Sequence, residues 1–420
     1  MANTFTHKKK LELLATAVRD NMPYVMASEQ KFPQSEMKGK KYGASVHMYL
    51  VDPGTVKDGM VADPDTITEV ELTGYMQNKN TSVETDLWED FNDIESFSKA
   101  ILKPRGLKLA REVEVDVIKH NVYRGLQAVV KTSADFGLLS DAATALNELS
   151  VVGTLVDFQS PTIFGKIANG GLAKYIPDAI QADIYKKLYL GEYAGASCVQ
   201  QALMPTVKMP STMDTAPTIT FTPITETING VSTVVGYTLG AVTKSANAKT
   251  LDEGAAYKIP GLKIVDESGM ETNQDVVVVL HNKITGVNTA GPNKGVLSES
   301  LGIEDLRVTV KGYGTGNPNA WVDSSFNASS PIALQPLLTA GKTYAVGQVR
   351  TQDSLCFDSY SFSDLPSSRQ ENVGVDGPVT LKCSEFGEGK KGVQMTRIDA
   401  PFMAKIWEPR RCVVTFVQLD

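Results

Sequence analysis

The chain is poor in the residues that catalysis and metal binding draw on. It has 4 histidines, 4 cysteines and 3 tryptophans in 420 residues. The histidines (His7, His47, His120 and His281) are scattered, and none stands in a metal-ligand spacing such as HExxH. The cysteines (Cys198, Cys356, Cys383 and Cys412) lie far apart with no CxxC pair. That excludes a zinc ribbon or a disulfide framework and points to buried structural thiols in a reducing compartment. There is no GxSxG elbow, no Walker loop and no dinucleotide fingerprint after a strand. These absences weigh against an enzyme, although a site assembled from scattered residues leaves no such signature. No metal or cofactor is expected.

Long apolar runs are also missing. No stretch approaches the ~20 apolar residues of a membrane-crossing helix. The start, MANTFTHKKKLELL, has a basic head but no apolar run long enough for a secretory signal. The Asn-x-Ser triplets at Asn80 and Asn327 therefore carry no glycosylation meaning. A basic excess is lacking too. The net charge of −7 repels nucleic acid, which argues against a dedicated DNA or RNA reader.

What is present is a globular composition, 42% hydrophobic and 21% charged, with length for two or three domains. The longest helical pattern runs from about Pro104 to Val130. Val115, Ile118, Val122, Leu126 and Val129 recur at spacings of three and four, and Pro104 suits a first turn. Such a rod is either a scaffold for other elements or the core helix of an ordinary enzyme. Before it, residues 4–20 form a short amphipathic pattern ended by Pro23, and Tyr24 to Lys41 reads as an arm packing on something else, or as a partly disordered terminus. From Tyr42 the period becomes two: Val46, Met48 and Leu50, then Val70 and Leu72, with turn chemistry at Asp52-Pro53-Gly54 and Asp58-Gly59 between them. This two-stranded excursion needs a partner surface. Residues 85–101 look helical, with Leu87, Phe91, Ile94 and Phe97 as a stripe and Glu84, Asp86, Glu89 and Asp90 near its start. Their spacing matches no calcium loop, so a solvated acidic face is the better reading.

After the long helix, Ser140 is the expected cap of a helix carrying Leu146 and Leu149. Val151–Phe158 reads as a buried strand, Ser160-Pro161 as a helix start and Asn169-Gly170-Gly171 as its stop. Pro177 opens a further helix, closed by Gly191, and Ala196–Met204 reads as strand. From Met209-Pro210 to about Arg350 short β segments dominate. Thr218–Ile228 and Val231–Leu239 flank Asn229-Gly230, a strong hairpin signal. Gly312 to Gly316 resembles a phosphate loop only superficially and reads as a flexible loop. Strands follow at Leu355–Phe362, Val379–Cys383, Val393–Arg397 and Cys412–Gln418. The tail is expected to complete the earlier α/β sheet, which makes the β block an insertion.

This order of parts resembles the major capsid proteins of tailed phages, the Hong Kong 97-type fold, and within them the coat-protein family of the short-tailed phage P-twenty-two, whose members carry an inserted β-barrel. The runs SVVGTLVDFQSPTIFGKIANGGL and YIPDAIQADIYKKLYLGEYAGASCVQQALMP are similar in character to that family's axial domain, and DAPFMAKIWEPRRCVVTFVQ to its closing strands. The likeness lies in layout, since this family has no invariant short motif. It implies an α+β chain with an N-terminal arm (1–41), an extended β-loop (42–84), an acidic helix and spine helix forming a peripheral domain (85–132), a mixed α/β axial domain (133–209 plus 352–420) and an inserted β-barrel (210–351).

The implied function is a non-enzymatic major capsid protein that self-assembles through pentamers and hexamers into the icosahedral head around double-stranded DNA. The implied partners are other copies of itself, a scaffolding protein, a portal and DNA held non-specifically at the inner face, with no membrane. The place is the virion, assembled in the host bacterial cytoplasm. The β-loop would lie over an adjacent subunit, with Lys38, Lys40 and Lys41 pairing with Asp58, Asp63, Asp65 and Glu69 across the contact. Two other classes remain open: a β-rich binding or virion fibre module, and a hydrolase with an inserted barrel.

Overall fold

The computed structural model describes residues 18, 21–29, 42–51, 69–86, 103–169, 192–228, 230–246, 248–283, 306–313, 317–326, 330–359, 369–374, 379–388 and 393–420. In chain order, a one-turn helix α1 (Pro23–Met26) precedes β1 (Ser45–Val51), β2 (Glu69–Tyr75) and β3 (Gln77–Asp86). The spine helix α2 (Lys103–Asn121) leads to β4 (Gln127–Lys131), α3 (Phe136–Asn147), β5 (Leu155–Gln159) and α4 (Pro161–Asn169). Then come β6 (Glu192–Tyr193), β7 (Ala196–Gln200), β8 (Thr206–Lys208), β9 (Thr218–Ile228), β10 (Val231–Thr243), β11 (Ala256–Val265), β12 (Glu271–Val279), β13 (Val308–Val310), β14 (Ala320–Val322), β15 (Ile332–Ala333) and β16 (Gln335–Pro336). The chain closes with β17 (Thr343–Thr351), β18 (Leu355–Ser359), β19 (Arg369–Gly374), β20 (Thr380–Glu388), β21 (Val393–Ile406) and β22 (Cys412–Gln418). The fold is thus a mixed helix and strand one, and strands dominate.

The spine helix is shorter than its sequence pattern suggests. It spans 19 residues, about 28 Å at 1.5 Å per residue. Its buried face is Leu109, Ala110, Val113, Glu114, Val117, Ile118 and Asn121, again spaced by three and four, while Val115 is 40% exposed. Of the expected stripe, Ile118, Val122 and Leu126 are buried, and Val115 is the member that faces outward. The helix stops because Gly125 passes against the neighbouring backbone: a Cβ there would lie 2.8 Å from the Cys412 carbonyl oxygen. Beyond it the β-branched Val129 and Val130 pair in parallel with Thr415 and Phe416. Residues 127–131 are strand and not the end of a helix.

The chain divides into two compact units. The first takes described residues from Met1–Met48, Thr73–Lys119 and Leu355–Ile406. Its sheet runs β18-β21-β20-β19, with β3 on the other edge of β21. β3 and β21 pair over ten residues, Gln77↔Phe402 to Asp86↔Val393, so residues 85–86, expected to open a helix, are strand. The N-terminal segment is part of this unit's core. Met22, Tyr24 and Val25 are fully buried, Glu114 Oε1 of the spine helix accepts the Tyr24 N–H at 2.7 Å, and Glu29 bridges to Cys356. Residues 21–29 thus pack on their own chain, because three apolar side chains there find a pocket and the helix supplies a carboxylate for an otherwise orphaned amide. The strands β1 and β2 form a separate two-stranded sheet.

The second unit takes described residues from Tyr49–Leu72, His120–Ser354 and Trp407–Asp420. Its mixed sheet has the order β4-β22-β17-β5-β7-β6, with β8 on β17 beyond the end of β5. β4–β22 and β5–β7 are parallel and the rest antiparallel. The last strand, β22, does complete this sheet, as expected. Residues 355–406 do not: their strands form the sheet of the first unit, in which β21 pairs with β3. β17, placed by sequence at the end of the β-rich block, is a central strand here. Helix α3 starts on Asp135, whose carboxylate accepts the Leu138 N–H, and Ser140 lies inside it. Helix α4 starts at Pro161 after Ser160, as the sequence indicates. Both helices cover one face of the sheet through Leu138, Leu139, Ile163, Phe164 and Ile167, packed with Cys198, Ala345 and Val417.

The remaining strands form an eight-stranded sheet, β12-β11-β14-β13-β10-β9-β15, with β16 paired to β11. The chain leaves the mixed sheet after β8 and returns in β17, and these two are neighbours there (Lys208↔Thr343). The turn at Glu408–Arg411 knits the two sheets of this unit together. Arg410 donates to the Val265, Asp266 and Pro318 carbonyls, and the Glu408 carboxylate takes Arg410 at 3.0 Å and Arg307 at 3.3 Å. Burial would push the Glu408 carboxyl up, but the two guanidinium groups outweigh it and hold it below the usual range. Arg411 reaches both Glu267 and Asp353 and stacks on Trp407 at 5.2 Å.

Candidate assembly surface

Of the residues expected to pair across a subunit contact, Lys38, Lys40, Lys41, Asp58, Asp63 and Asp65 lie outside the described residues. Glu69 opens β2 and is exposed. The other helix and loop expectations at 4–17, 87–100, 177–191 and 314–316 also fall outside them. Besides the exposed Tyr49, Val115, Val152 and Met270, three described surfaces carry exposed large apolar side chains. On the first unit, Tyr42 and Tyr75 are 71% and 59% exposed at the base of the β1–β2 pair, where the Gly43 N–H donates to the Met76 carbonyl and the Met76 N–H to Ala44. On β21, Met395 is 43% exposed.

The third is the β9–β10 hairpin. Its root is fixed: Ile219, Phe221, Val235 and Tyr237 are buried, and Phe221, Tyr237 and Phe326 meet edge to face at 5.3–6.3 Å between ring centres. Past Phe221 the β9 strand leaves the core, with every residue from Thr222 to Thr227 exposed, while β10 stays buried at 235–237 and leaves it only from Val234 to the tip. The strands pair to the tip, Ile228↔Val231, beyond a bulge between Val234 and Gly236, and Gly230 has φ +80°, as the Asn-Gly pair predicts. From Thr222 to Ile228 the ribbon extends for about 20 Å at ~3.3 Å per residue. It carries Ile224 and the 64% exposed Val231 into solvent. Exposed β-branched residues on a paired ribbon suit addition to another surface more than isolation in water.

Groups that a catalytic reading would use are placed differently. All four cysteines are buried and unbridged, and burial pushes the Cys412 thiol up to about 12. The His281 ring is buried edge-on against Tyr123 at 5.9 Å, and burial, aided by Arg124, pushes its pKa down to about 3. Ser45 Oγ and His47 Nε2 are 3.1 Å apart, a proximity that alternation along one strand gives by itself. Among the described residues, no group of three or more His, Cys, Asp or Glu is placed to hold a metal, and no helix is long and apolar enough to cross a membrane.

No protein-family model matches the sequence, and no curated protein is similar to it. Solved structures are. The capsid of the cyanophage P-SCSP1u is 10% identical, with 93% of this chain and 89% of that one covered at a TM-score of 0.40. The capsid of the Helicobacter pylori bacteriophage KHP30 is 7% identical over 94% and 88%, at 0.40. The mature capsid of bacteriophage PhiM1 is 9% identical over 89% and 82%, at 0.39. The likeness is to phage capsids.

The exposed stem of the hairpin was missed by sequence reasoning, which placed its turn correctly. The available signal was composition: TPITETI has threonine or glutamate where an alternating strand would show a core residue. The buried Arg410–Glu408 pair left no signal, because its partners lie about a hundred residues away or more in sequence.

Proposed function

We propose that the chain is a major capsid protein that assembles with copies of itself into the icosahedral head of a tailed phage. The observation that carries the reading is the order of the elements. A long β3–β21 ribbon pair precedes and follows a spine helix, a mixed sheet comes next, and a β-rich block departs from and returns to adjacent strands of that sheet. This is the layout expected from the resemblance to the Hong Kong 97-type fold. We read the β-rich block as an inserted barrel. The pairing of β15 with β9 and of β16 with β11 supports closure by residues 332–336.

In this reading the β1–β2 loop, with Lys38, Lys40, Lys41, Asp58, Asp63, Asp65 and Glu69, and the β9–β10 hairpin reach neighbouring subunits. Many modest contacts repeated around closed rings then hold the shell together. The chain does no catalysis. Its further partners are a scaffolding protein, a portal and packaged DNA, which an acidic wall does not grip by counterion release. Assembly takes place in the bacterial host before the protein resides in the virion.

The test is negative-stain imaging of the chain co-expressed with its genomic neighbours, beside a variant lacking residues 223–234. Shells from the intact chain, and their loss or malformation in the variant, are expected. Intact chain that never forms rings or shells would overturn the reading.

A further inference from the structure

Three strands of the mixed sheet are tied by a polar bridge inside its helix-covered face. Gln159 on β5 reaches across β17 to Thr415 on β22, its Nε2 donating to Thr415 Oγ1 at 2.9 Å. The reach is open because β17 has glycine at the crossing: a Cβ on Gly347 would lie 2.0 Å from the Gln159 side-chain oxygen. The same Nε2 donates to Asp157 Oδ1 at 2.7 Å. Asp157, Gln159 and Thr415 are each no more than 1% exposed. The second carboxyl oxygen of Asp157 has no hydrogen-bond partner.

Strand pairing shows what surrounds that carboxyl. Val349 on β17 stands opposite Asp157, and Cys198 on β7 lies beside it. Val413 follows on β22, opposite Val349. The helices over this face contribute Leu138, Leu139, Ile163, Phe164 and Ile167. Their ionisable residues Asp135, Asp141 and Lys166 are exposed on the outer side. Among the described residues of the flanking strands, Cys198 is the titratable side chain on this face, and it is no cation; the buried Arg350 guanidinium of β17 lies on the opposite face, 5.0 Å from the Phe158 ring. An ionised Asp157 therefore has a single neutral donor and no counter-charge, an arrangement that burial makes costly.

We propose that the Asp157–Gln159–Thr415 bridge is a proton-controlled latch, which holds β5, β17 and β22 together with Asp157 protonated and strains the sheet when Asp157 ionises. Burial supports this by pushing the Asp157 carboxyl up to about 7, against a smaller downward pull from the Gln159 hydrogen bond. The folded pKa lies above the unfolded one. The contribution to stability is therefore complete below the unfolded value near 4, declines as pH rises and is fully lost above about 7. The mixed sheet of this unit would be most firmly closed in mild acid and would loosen across neutral pH.

The experiment compares the full chain with Asp157→Asn, which keeps an acceptor for Gln159 and cannot ionise. Unfolding equilibria in urea are measured from pH 4.5 to 8.5. Groups common to both chains, His281 included, cancel in the ratio of their unfolding constants. That ratio should move in favour of the variant by about tenfold per pH unit up to pH ~6.5 and level off above pH ~8. A ratio that does not change with pH overturns the latch. A second readout needs no variant: the infrared carbonyl band of a protonated carboxylic acid, in the intact chain. It should persist at pH 6, where exposed carboxyls are ionised, and vanish by pH 8.5. Its absence at pH 6 would also overturn the proposal.

Discussion

Gly347→Ala is the substitution whose cost the mixed sheet defines most sharply. The added methyl would lie 2.0 Å from the oxygen, 2.4 Å from the carbon and 2.6 Å from the nitrogen of the Gln159 amide. The amide must move, and its bonds to Asp157 and Thr415 break with it. Each lost bond removes about 1 kcal/mol, and each buried polar group left unsatisfied costs roughly 1–3 kcal/mol more. Against this, alanine restricts the unfolded chain and returns about 0.4–1 kcal/mol. The net expectation is a loss of about 3 kcal/mol. For a unit of this size that corresponds to a Tm lower by roughly 6–12 °C. Urea unfolding followed by the fluorescence of Trp321 and Trp407 measures it. In the double variant with Gln159→Ala the overlap disappears, so the two costs should fall short of their sum by about 1 kcal/mol or more. A Gly347→Ala chain within ~0.5 kcal/mol of the parent, or a strictly additive double variant, would refute the reasoning.

Other perturbations follow from the same structure. Glu408→Gln leaves Arg410 and Arg307 facing each other without a carboxylate and should cost about 3–5 kcal/mol in urea unfolding, whereas loss of an exposed pair costs under ~1 kcal/mol. The His281 pKa, pushed down to about 3, makes the folded state give up a proton that the unfolded state keeps below ~6.5. Stability from this residue is thus present above that pH and is lost by about 1.4 kcal/mol per unit as pH falls toward 3. His281→Phe should accordingly gain on the parent below pH 6 in unfolding titrations. On the spine helix, Val113→Ala should destabilise by about 2 kcal/mol and Val115→Ser by under ~0.5 kcal/mol, because the first is buried and the second 40% exposed. Ile224→Ser with Val231→Ser should leave the chain's thermal unfolding within about 2 °C of the parent and yet reduce particle yield several-fold in sedimentation assays.

What the sequence makes legible is local. Asn229-Gly230 specifies its hairpin because a primed turn needs positive φ, and Gly230 adopts it. Ser160-Pro161 starts α4 for equally local reasons. The closing strand Cys412–Gln418 is bounded as its run of β-branched residues suggests. The failures share a cause, which is contact with distant chain. The spine helix ends where Gly125 meets the Cys412 backbone, and nothing in residues 104–130 announces that neighbour. Met22, Tyr24 and Val25 look like part of a free arm until Glu114, ninety residues on from Tyr24, supplies the partner for the Tyr24 N–H. The strands at 355–406 follow the β-rich block in sequence but pair among themselves and, through β21, with β3, and period-two patterning does not name a partner. Gln159 and Thr415 are separated by 256 residues, so the bridge that crosses Gly347 is invisible before the strands are assembled.

The central claim is that this chain builds a closed shell from copies of itself. Its most direct test is the molar mass of the purified full chain by light scattering, with and without its genomic neighbours co-expressed. The account predicts particles in the megadalton range, or rings of five and six subunits that convert to them. A protein that stays at the mass of one 420-residue chain in both conditions would contradict it.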